Sequence, residues 1–238
     1  MSGAVDEQGA WLVAVAMPQE GELVAARLEG PSTVGGRPLY RGRVGARGLW
    51  LLVTGMGLVN AAQAVTAVLE RLPRPAALLS LGCAGAYPGS GLEVGAAAVA
   101  REVVLADHGV RTQRRLHSLE VVGIPLARDR RGRGVYHRFP CDPGLVESLA
   151  GGRLATGTFA TVVQVSGDPA TAAVLARRWG AVLEDMESAA LAQLALHYRL
   201  PFAALRGVSN LAGRRELDLR AGAEAAQRAL LAALGEEP

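Results

Sequence analysis

The chain has no lysine; all 25 of its basic residues are arginine. It is also short of aromatic residues, at 4% of 238, while half of it is hydrophobic. Its core must therefore be filled mainly by Ala, Val and Leu. No apolar run is both long enough and uncharged enough to cross a bilayer as a helix. The first strand-like run, Trp11 to Met17, has neither the basic flank nor the cleavage pattern of a secretory signal. A soluble, cytoplasmic protein without a membrane partner is expected. The only cysteines, Cys83 and Cys141, supply neither metal-ligand spacing nor a disulfide framework. They read as free thiols of a reducing compartment, with no metal and no cofactor expected. A formal charge of +3 is modest for this length. Arginine is densest over residues 111–138, yet Glu120 and Asp129 interrupt it and no stacking aromatics recur at regular spacing. That segment reads as a solvated loop, and no nucleic-acid partner is expected.

What is present is alternation. Apolar runs of strand length occupy Trp11–Met17, Arg37–Val44, Leu49–Thr54, Ala76–Leu81, Val94–Leu105, Thr158–Val165, Ala181–Glu184 and Pro201–Val208. Helical patterns occupy Glu20–Leu28, Asn60–Leu72, Asp142–Ala150, Ala172–Trp179, Glu187–Tyr198 and Leu217–Leu234. Asp142-Pro143 is a helix start, with Asp as N-cap and Pro at the first helical position. This order predicts one α/β domain over residues 1–238, with a mostly parallel or mixed central sheet. No internal repeat or linker divides it.

Several strands end in a polar or glycine-rich group, where ligands of open α/β sheets sit. These are Met17-Pro18-Gln19-Glu20, Gly55-Met56-Gly57, Gly82-Cys83-Ala84-Gly85 and Arg206-Gly207-Val208-Ser209-Asn210; Asp185-Met186-Glu187-Ser188-Ala189-Ala190 starts a helix. Each alone has a plain structural explanation. Gly-x-Gly is a common tight turn, and an acid in a helix's first turn needs no chemistry. Arg206 is less ordinary, because a charge at the end of an apolar strand needs a partner.

Taken in order, with Leu92-Glu93-Val94-Gly95 and Ser166-Gly167-Asp168 between them, these segments resemble the superfamily of nucleoside phosphorylases and nucleosidases. The resemblance covers nearly the whole chain and implies a three-layer α/β/α fold. It also implies cleavage of a nucleoside N-glycosidic bond through a cationic, oxocarbenium-like sugar. By resemblance, Glu187 accepts hydrogen bonds from the ribose hydroxyls, Met186 packs under the ring, and Glu20 deprotonates a water. Arg206 holds that water and pairs with the acids, and Asn210 contacts the base. The resemblance also assigns Cys83, Ala84, Gly85, Ala170, Thr171 and Ser209 to substrate binding. It further implies a homo-oligomer whose partner subunit completes the pocket.

Related phosphorylases carry arginines after the first strand to hold phosphate. Here that place is Pro18-Gln19-Glu20-Gly21-Glu22, with no Arg before Arg27. A carboxylate 4 Å from phosphate is repelled by roughly 4 kcal/mol per charge pair at an effective dielectric of 20. Water is therefore the expected nucleophile. Adenine-releasing relatives carry an acid at the place of Asn210; an Asn can donate a hydrogen bond but not a proton. In this, and in Ala106-Asp107-His108-Gly109, the chain resembles the futalosine-cleaving branch, which releases hypoxanthine from a nucleoside with an aromatic carboxylate tail in menaquinone biosynthesis. The place of the usual stacking aromatic holds Pro169-Ala170-Thr171 instead. Competing readings are a methylthioadenosine/S-adenosylhomocysteine nucleosidase, a 6-oxopurine nucleoside phosphorylase, and an inactive nucleoside-binding relative. The set Glu20, Glu187 and Arg206 speaks against the last.

Overall fold

In the computed structural model, which describes residues 9–113, 116–129 and 131–236, the apolar runs form one mixed ten-stranded sheet. Its first six strands are β1 (Trp11–Val15), β2 (Glu29–Val34), β3 (Arg37–Val44), β4 (Arg47–Val53), β5 (Ala77–Ala86) and β6 (Ala97–Leu105). Four two-residue strands follow off the sheet: β7 (Val110–Arg111), β8 (Leu116–His117), β9 (Ala127–Arg128) and β10 (Gly134–Val135). Then come β11 (Arg138–Pro140), β12 (Ala155–Thr161), β13 (Ala181–Asp185) and β14 (Phe202–Leu211). The helices are α1 (Glu22–Ala25), α2 (Leu58–Arg71), α3 (Pro143–Ala150), α4 (Pro169–Trp179), α5 (Ser188–Tyr198) and α6 (Leu219–Ala233).

The central strands are apolar throughout because both of their faces are covered. Leu12 and Ala14 of β1 join one core cluster with Ala61, Val65 and Leu191 of α2 and α5. Trp11, Val13 and Val15 join the opposite cluster with Leu149 of α3 and Leu230 and Leu231 of α6. Side chains alternate between faces with period two, so a strand sandwiched between helices must be hydrophobic at every position. Burying a Leu fully is worth about 1.5–3 kcal/mol, so Leu230 and Leu231 anchor α6 firmly. The expected three layers are present, with α4 packed on a smaller third cluster through Ala172 and Trp179.

One feature goes beyond the expected sheet. β5 pairs in parallel with β1 and β14 and antiparallel with β13. β14 also pairs with β6, β6 with β12, and β12 with β13. The strands β5, β14, β6, β12 and β13 thus close on themselves, which brings the ends of β5, β13 and β14 together. The segments Gly82–Gly85 and Ser209–Asn210, expected where strands end, lie inside β5 and β14. Their backbones are taken up by the parallel pairing Arg206↔Gly82 and Asn210↔Gly85.

Other differences are local. The expected helix Glu20–Leu28 is a 3-10 turn, Pro18–Glu20, followed by the single-turn α1, because the Glu20 carboxylate folds back onto the strand it follows. β2 was not foreseen; all of it but Val34 is exposed, so no apolar pattern marks it, and Pro31 suits an edge strand. In the arginine-rich segment, Arg133 pairs with Asp129 at 2.7 Å and Arg138 pairs with Glu102; Arg114, Arg115 and Arg130 lie outside the described residues. No helix among the described residues is long and apolar enough to cross a membrane.

Candidate active site

The site is assembled where β1, β5, β13 and β14 end. After β1 the chain turns through Ala16 and Met17, so Glu20 points back at the strand terminus. Its Oε2 accepts from the backbone N–H groups of Ala16 (3.0 Å) and Met17 (2.9 Å), and Oε1 accepts from Cys83 N–H at 2.7 Å. A carboxylate has about four acceptor positions, so these three donors fix the group and leave one free. The approach to β5 requires glycine at 82, because a Cβ there would lie 2.5 Å from Glu20 Oε1. The neighbouring Cys83 thiol is pushed up to about 12 by burial and then by Glu20. It is a neutral lining group, not a nucleophile.

Beside Glu20 lies a buried ionic cluster. Arg206, 1% exposed, donates from Nε to Asp185 Oδ2 at 3.2 Å. Its Nη2 donates to Ser80 Oγ at 2.8 Å and Ser188 Oγ at 2.9 Å, and lies 3.8 Å from Glu187 Oε2. Nη1 is buried with no partner. Asp185 is itself held by Thr161 Oγ1 at 2.7 Å, by Ser188 N–H at 3.1 Å, and by the Ser188 hydroxyl. A buried guanidinium is tolerable only with such company.

Glu187 stands at the N-cap of α5, and its Oε1 accepts from Gly57 N–H at 2.8 Å. Gly57 has φ +91°, which side-chain-bearing residues rarely adopt. The Gly-x-Gly turn thus presents an N–H to the buried Glu187 carboxylate. Burial pushes the Glu187 carboxyl up, Arg206 and the Gly57 N–H pull it down, and Asp185 and Glu20 push it up again, to about 7.

An adjoining wall is bare. Asn210 pairs with Gly85, and a Cβ on Gly85 would meet Asn210 Nδ2 at 3.3 Å. Ser209 Oγ lies 3.0 Å from Asn210 Oδ1 and 3.3 Å from the Ala84 carbonyl, so one hydroxyl ties the amide to the wall. Met186 is half-buried between Asp185 and Glu187. Ala170 and Thr171 are exposed in the first turn of α4, just after the Asp168–Pro169 backbone that lies against Gly213 beyond β14. The Thr171 N–H and hydroxyl are both taken by Asp168, at 2.9 and 2.8 Å. The structure therefore joins Glu20, Cys83, Glu187 and Arg206 in one cluster and Ala84, Gly85, Ser209 and Asn210 in the wall beside it. Ala170 and Thr171 are left at the periphery.

A cavity of about 580 Å³ adjoins Glu20 and Cys83 and runs to Leu219, Arg220 and Ala223 of α6. A larger one, about 820 Å³, lies along α5 at Gln193, Leu194 and His197 and contains none of these groups. Sequence reasoning missed Asp185, Ser80, Ser188 and Thr161 as members of the cluster. Ser80 did carry a signal: a polar residue inside the apolar run Ala77–Leu81 needs a buried partner. Among the described residues no group of three or more His, Cys, Asp or Glu is arranged to hold a metal.

This chain belongs to the phosphorylase superfamily, whose family model matches residues 11–234. It is 43% identical over 202 residues to the futalosine hydrolase of Thermus thermophilus, across 82% of this chain and 84% of that protein. It is 29% identical over 208 residues to the 5′-methylthioadenosine/S-adenosylhomocysteine nucleosidase of Geobacillus kaustophilus, across 83% of each. The fold matches a crystal structure of the nucleosidase of that name from Colwellia psychrerythraea, in complex with adenine. The TM-score is 0.80 over 95% of both chains, at 21% identity.

Proposed function

We propose that the chain is a cytoplasmic, single-domain hydrolase that uses water to cleave the N-glycosidic bond of futalosine, releasing hypoxanthine. The observation that carries this reading is Glu20: a buried carboxylate held by three backbone N–H groups, with one acceptor position left, next to the Glu187–Arg206 pair. That geometry suits a group that takes a proton from a water; it does not suit a phosphate dianion. The 43% identity to a futalosine hydrolase supports the substrate.

In the reaction the base leaves as the C1′–N9 bond breaks and the sugar becomes cationic. Glu187, ionised, accepts from the ribose hydroxyls and its charge favours that cation. Met186 packs beneath the ring. The free Nη1 of Arg206 donates to the attacking water, and Glu20 takes the water's proton as the new C–O bond forms. Asn210 Nδ2 donates to the departing base, which leaves with its charge spread toward O6. The cavity beside Glu20 takes the substrate's aromatic tail, with Arg220 at its rim facing the tail carboxylate.

The reading includes a place in menaquinone biosynthesis and a homo-oligomeric state. Met56 and Val59, 60% and 82% exposed beside the Glu187-binding turn, and Val163 and Val165, 60% and 58% exposed before Ser166, support a partner surface close to the site. The test is chromatography of free bases after incubation with futalosine, inosine and methylthioadenosine, with and without phosphate. Hypoxanthine from futalosine without phosphate is expected. An absolute phosphate requirement, or equal turnover of methylthioadenosine, overturns the reading.

A further inference from the structure

α6 buries Gly222, Ala223, Ala226, Leu230 and Leu231, and with them, at 1% exposed, the amide of Gln227. A Leu or Met would fill that seam as well, and an amide withdrawn from water is tolerated only where hydrogen bonds replace the lost water. Gln227 finds its partners near the other end of the chain. Its Oε1 accepts from the Leu23 N–H at 2.7 Å, and its Nε2 donates to the Gln19 carbonyl at 3.0 Å. Nε2 also donates to the Ala223 carbonyl of its own helix, again at 3.0 Å. Turned over, the amide would set its oxygen against two carbonyls, so its orientation is fixed.

The contacts to Gln19 and Leu23 straddle Glu20. The Gln19 carbonyl belongs to the peptide group whose nitrogen is that of Glu20, and because the peptide is planar, holding its oxygen also holds the Glu20 nitrogen and Cα. On the far side α1 begins at Glu22 with Gly21 as its N-cap, and glycine has no side chain with which to cap a helix. A larger residue does not fit, since a Cβ on Gly21 would lie 2.8 Å from the buried Leu51 side chain. The N–H of Leu23, in the first turn, has no partner within its own helix. Gln227 supplies that cap from 204 positions away. α6 also reaches Cys83, whose N–H donates to Glu20 Oε1, because the Cys83 thiol donates to the Leu219 carbonyl at 3.4 Å.

We propose that Gln227 is a positioning residue for the hydrolysis, holding the Gln19–Leu23 turn so that the Glu20 carboxylate meets its water at a fixed place. This rests on the reading of Glu20 as the group that takes the water's proton. Gln227 lines the cavity that adjoins Glu20, yet its amide is committed to the turn, so it acts through Glu20 and not on the substrate. Without Gln227 the carboxylate keeps its three N–H donors, but the turn that carries it loses its anchor on α6. A displacement of about 1 Å at a reacting group, even one caused from a distance, can cost about a hundredfold in rate. Grip on the ribose and the base is assigned to Glu187 and Asn210, neither of which Gln227 supports.

The experiment follows futalosine hydrolysis by wild type and by Gln227→Met, which keeps the side chain's length and drops its hydrogen bonds. The substitution is also combined with Glu20→Gln and, separately, with Glu187→Gln. Gln227→Met should lower kcat at least about tenfold while KM stays within about threefold. Added to Glu20→Gln it should cost less than about twofold more, because the group it positions is already disabled; added to Glu187→Gln it should cost its full factor again. If Gln227 only stabilises the fold, the folded variant turns over normally, or the loss falls on KM, or the loss recurs in full on Glu20→Gln. Each of these results overturns the inference. A second measurement needs no variant and decides the matter even if Gln227→Met does not fold. In the wild type the Leu23 amide should exchange its hydrogen at least about a hundredfold more slowly than an unprotected chain; exchange at the unprotected rate overturns the clamp. A wild type without nucleosidase activity, or a fully active Glu20→Gln, overturns the functional reading and this inference together. A loss of about a hundredfold in Glu20→Gln beside normal kcat in Gln227→Met overturns this inference alone.

Discussion

The two ends of the pocket are built on opposite plans. At the proposed ribose end, charges are buried against one another: Arg206 against Asp185 and Glu187, with Ser80, Ser188 and Thr161 adding hydrogen bonds. At the proposed base end, neutral groups line a bare glycine: Asn210 is half-buried beside Gly85 and tied to Ser209, with one amide N–H to spare. The first plan fixes geometry before substrate arrives, as a transition state that develops charge requires. The second leaves hydrogen-bonding capacity for the ligand to complete, as a specificity surface requires. Both ends are carried by the same strands: β5 holds Ser80 and Gly85, and β14 holds Arg206 and Asn210.

Substitutions can break this division, and the largest effect belongs to the ribose end. Glu20→Gln and Glu187→Gln should each lower kcat at least about a hundredfold, the usual loss of one positioned acid–base group. Unchanged circular dichroism would accompany the loss; near-normal turnover would make either carboxylate structural. Arg206→Met should unfold more easily by about 3–5 kcal/mol in urea titration, because Asp185 and Glu187 would be left buried without their cation. A change under 1 kcal/mol would mean those acids are neutral in the fold.

The base end should respond in preference, with stability nearly unchanged. Asn210→Asp should shift kcat/KM from inosine-type toward adenosine-type substrates by more than about threefold, or roughly 0.7 kcal/mol. A protonated Asp can give N7 a proton, and an ionised one repels O6. A smaller shift would remove Asn210 from base reading.

pH separates the two ends further. Glu187 has a folded value near 7, above its ordinary 4.5. In the proposed reaction its ionised form does the work, so kcat/KM should rise with pH through about 7 and level off above. Stability has the opposite sign: the folded state binds this proton more tightly than the unfolded state. That contribution is complete below about 4.5 and is lost as pH rises through about 7. Glu187→Gln should flatten the stability profile in this window; an unchanged slope would assign it to another group. The smallest effect is expected far from the pocket. Asp142→Ala removes the bond to Leu145 N–H that caps α3, which should cost about 1 kcal/mol with turnover unaltered.

How much of this was legible beforehand depends on where each residue obtains its partners. The α3 cap was readable because Asp142-Pro143 carries its own local instruction. Central strands and helices were readable from apolar runs and 3.6-residue patterns, since both reflect burial alone. β2 was not, because an exposed edge strand has no hydrophobic signature. The closure through β5 and β14 was not, because pairing between residues more than a hundred positions apart leaves no local trace. In the site, Glu20, Glu187, Arg206 and Asn210 were found through their motifs. Asp185 stood in the same motif unnoticed.

The central claim is that water, activated at Glu20, attacks the ribosyl carbon of a 6-oxopurine nucleoside. It is tested most directly by running futalosine turnover in heavy-oxygen water with phosphate present, and weighing the sugar product by mass spectrometry. The account predicts free hypoxanthine and one heavy oxygen on the anomeric carbon. A sugar 1-phosphate with no heavy oxygen would contradict it.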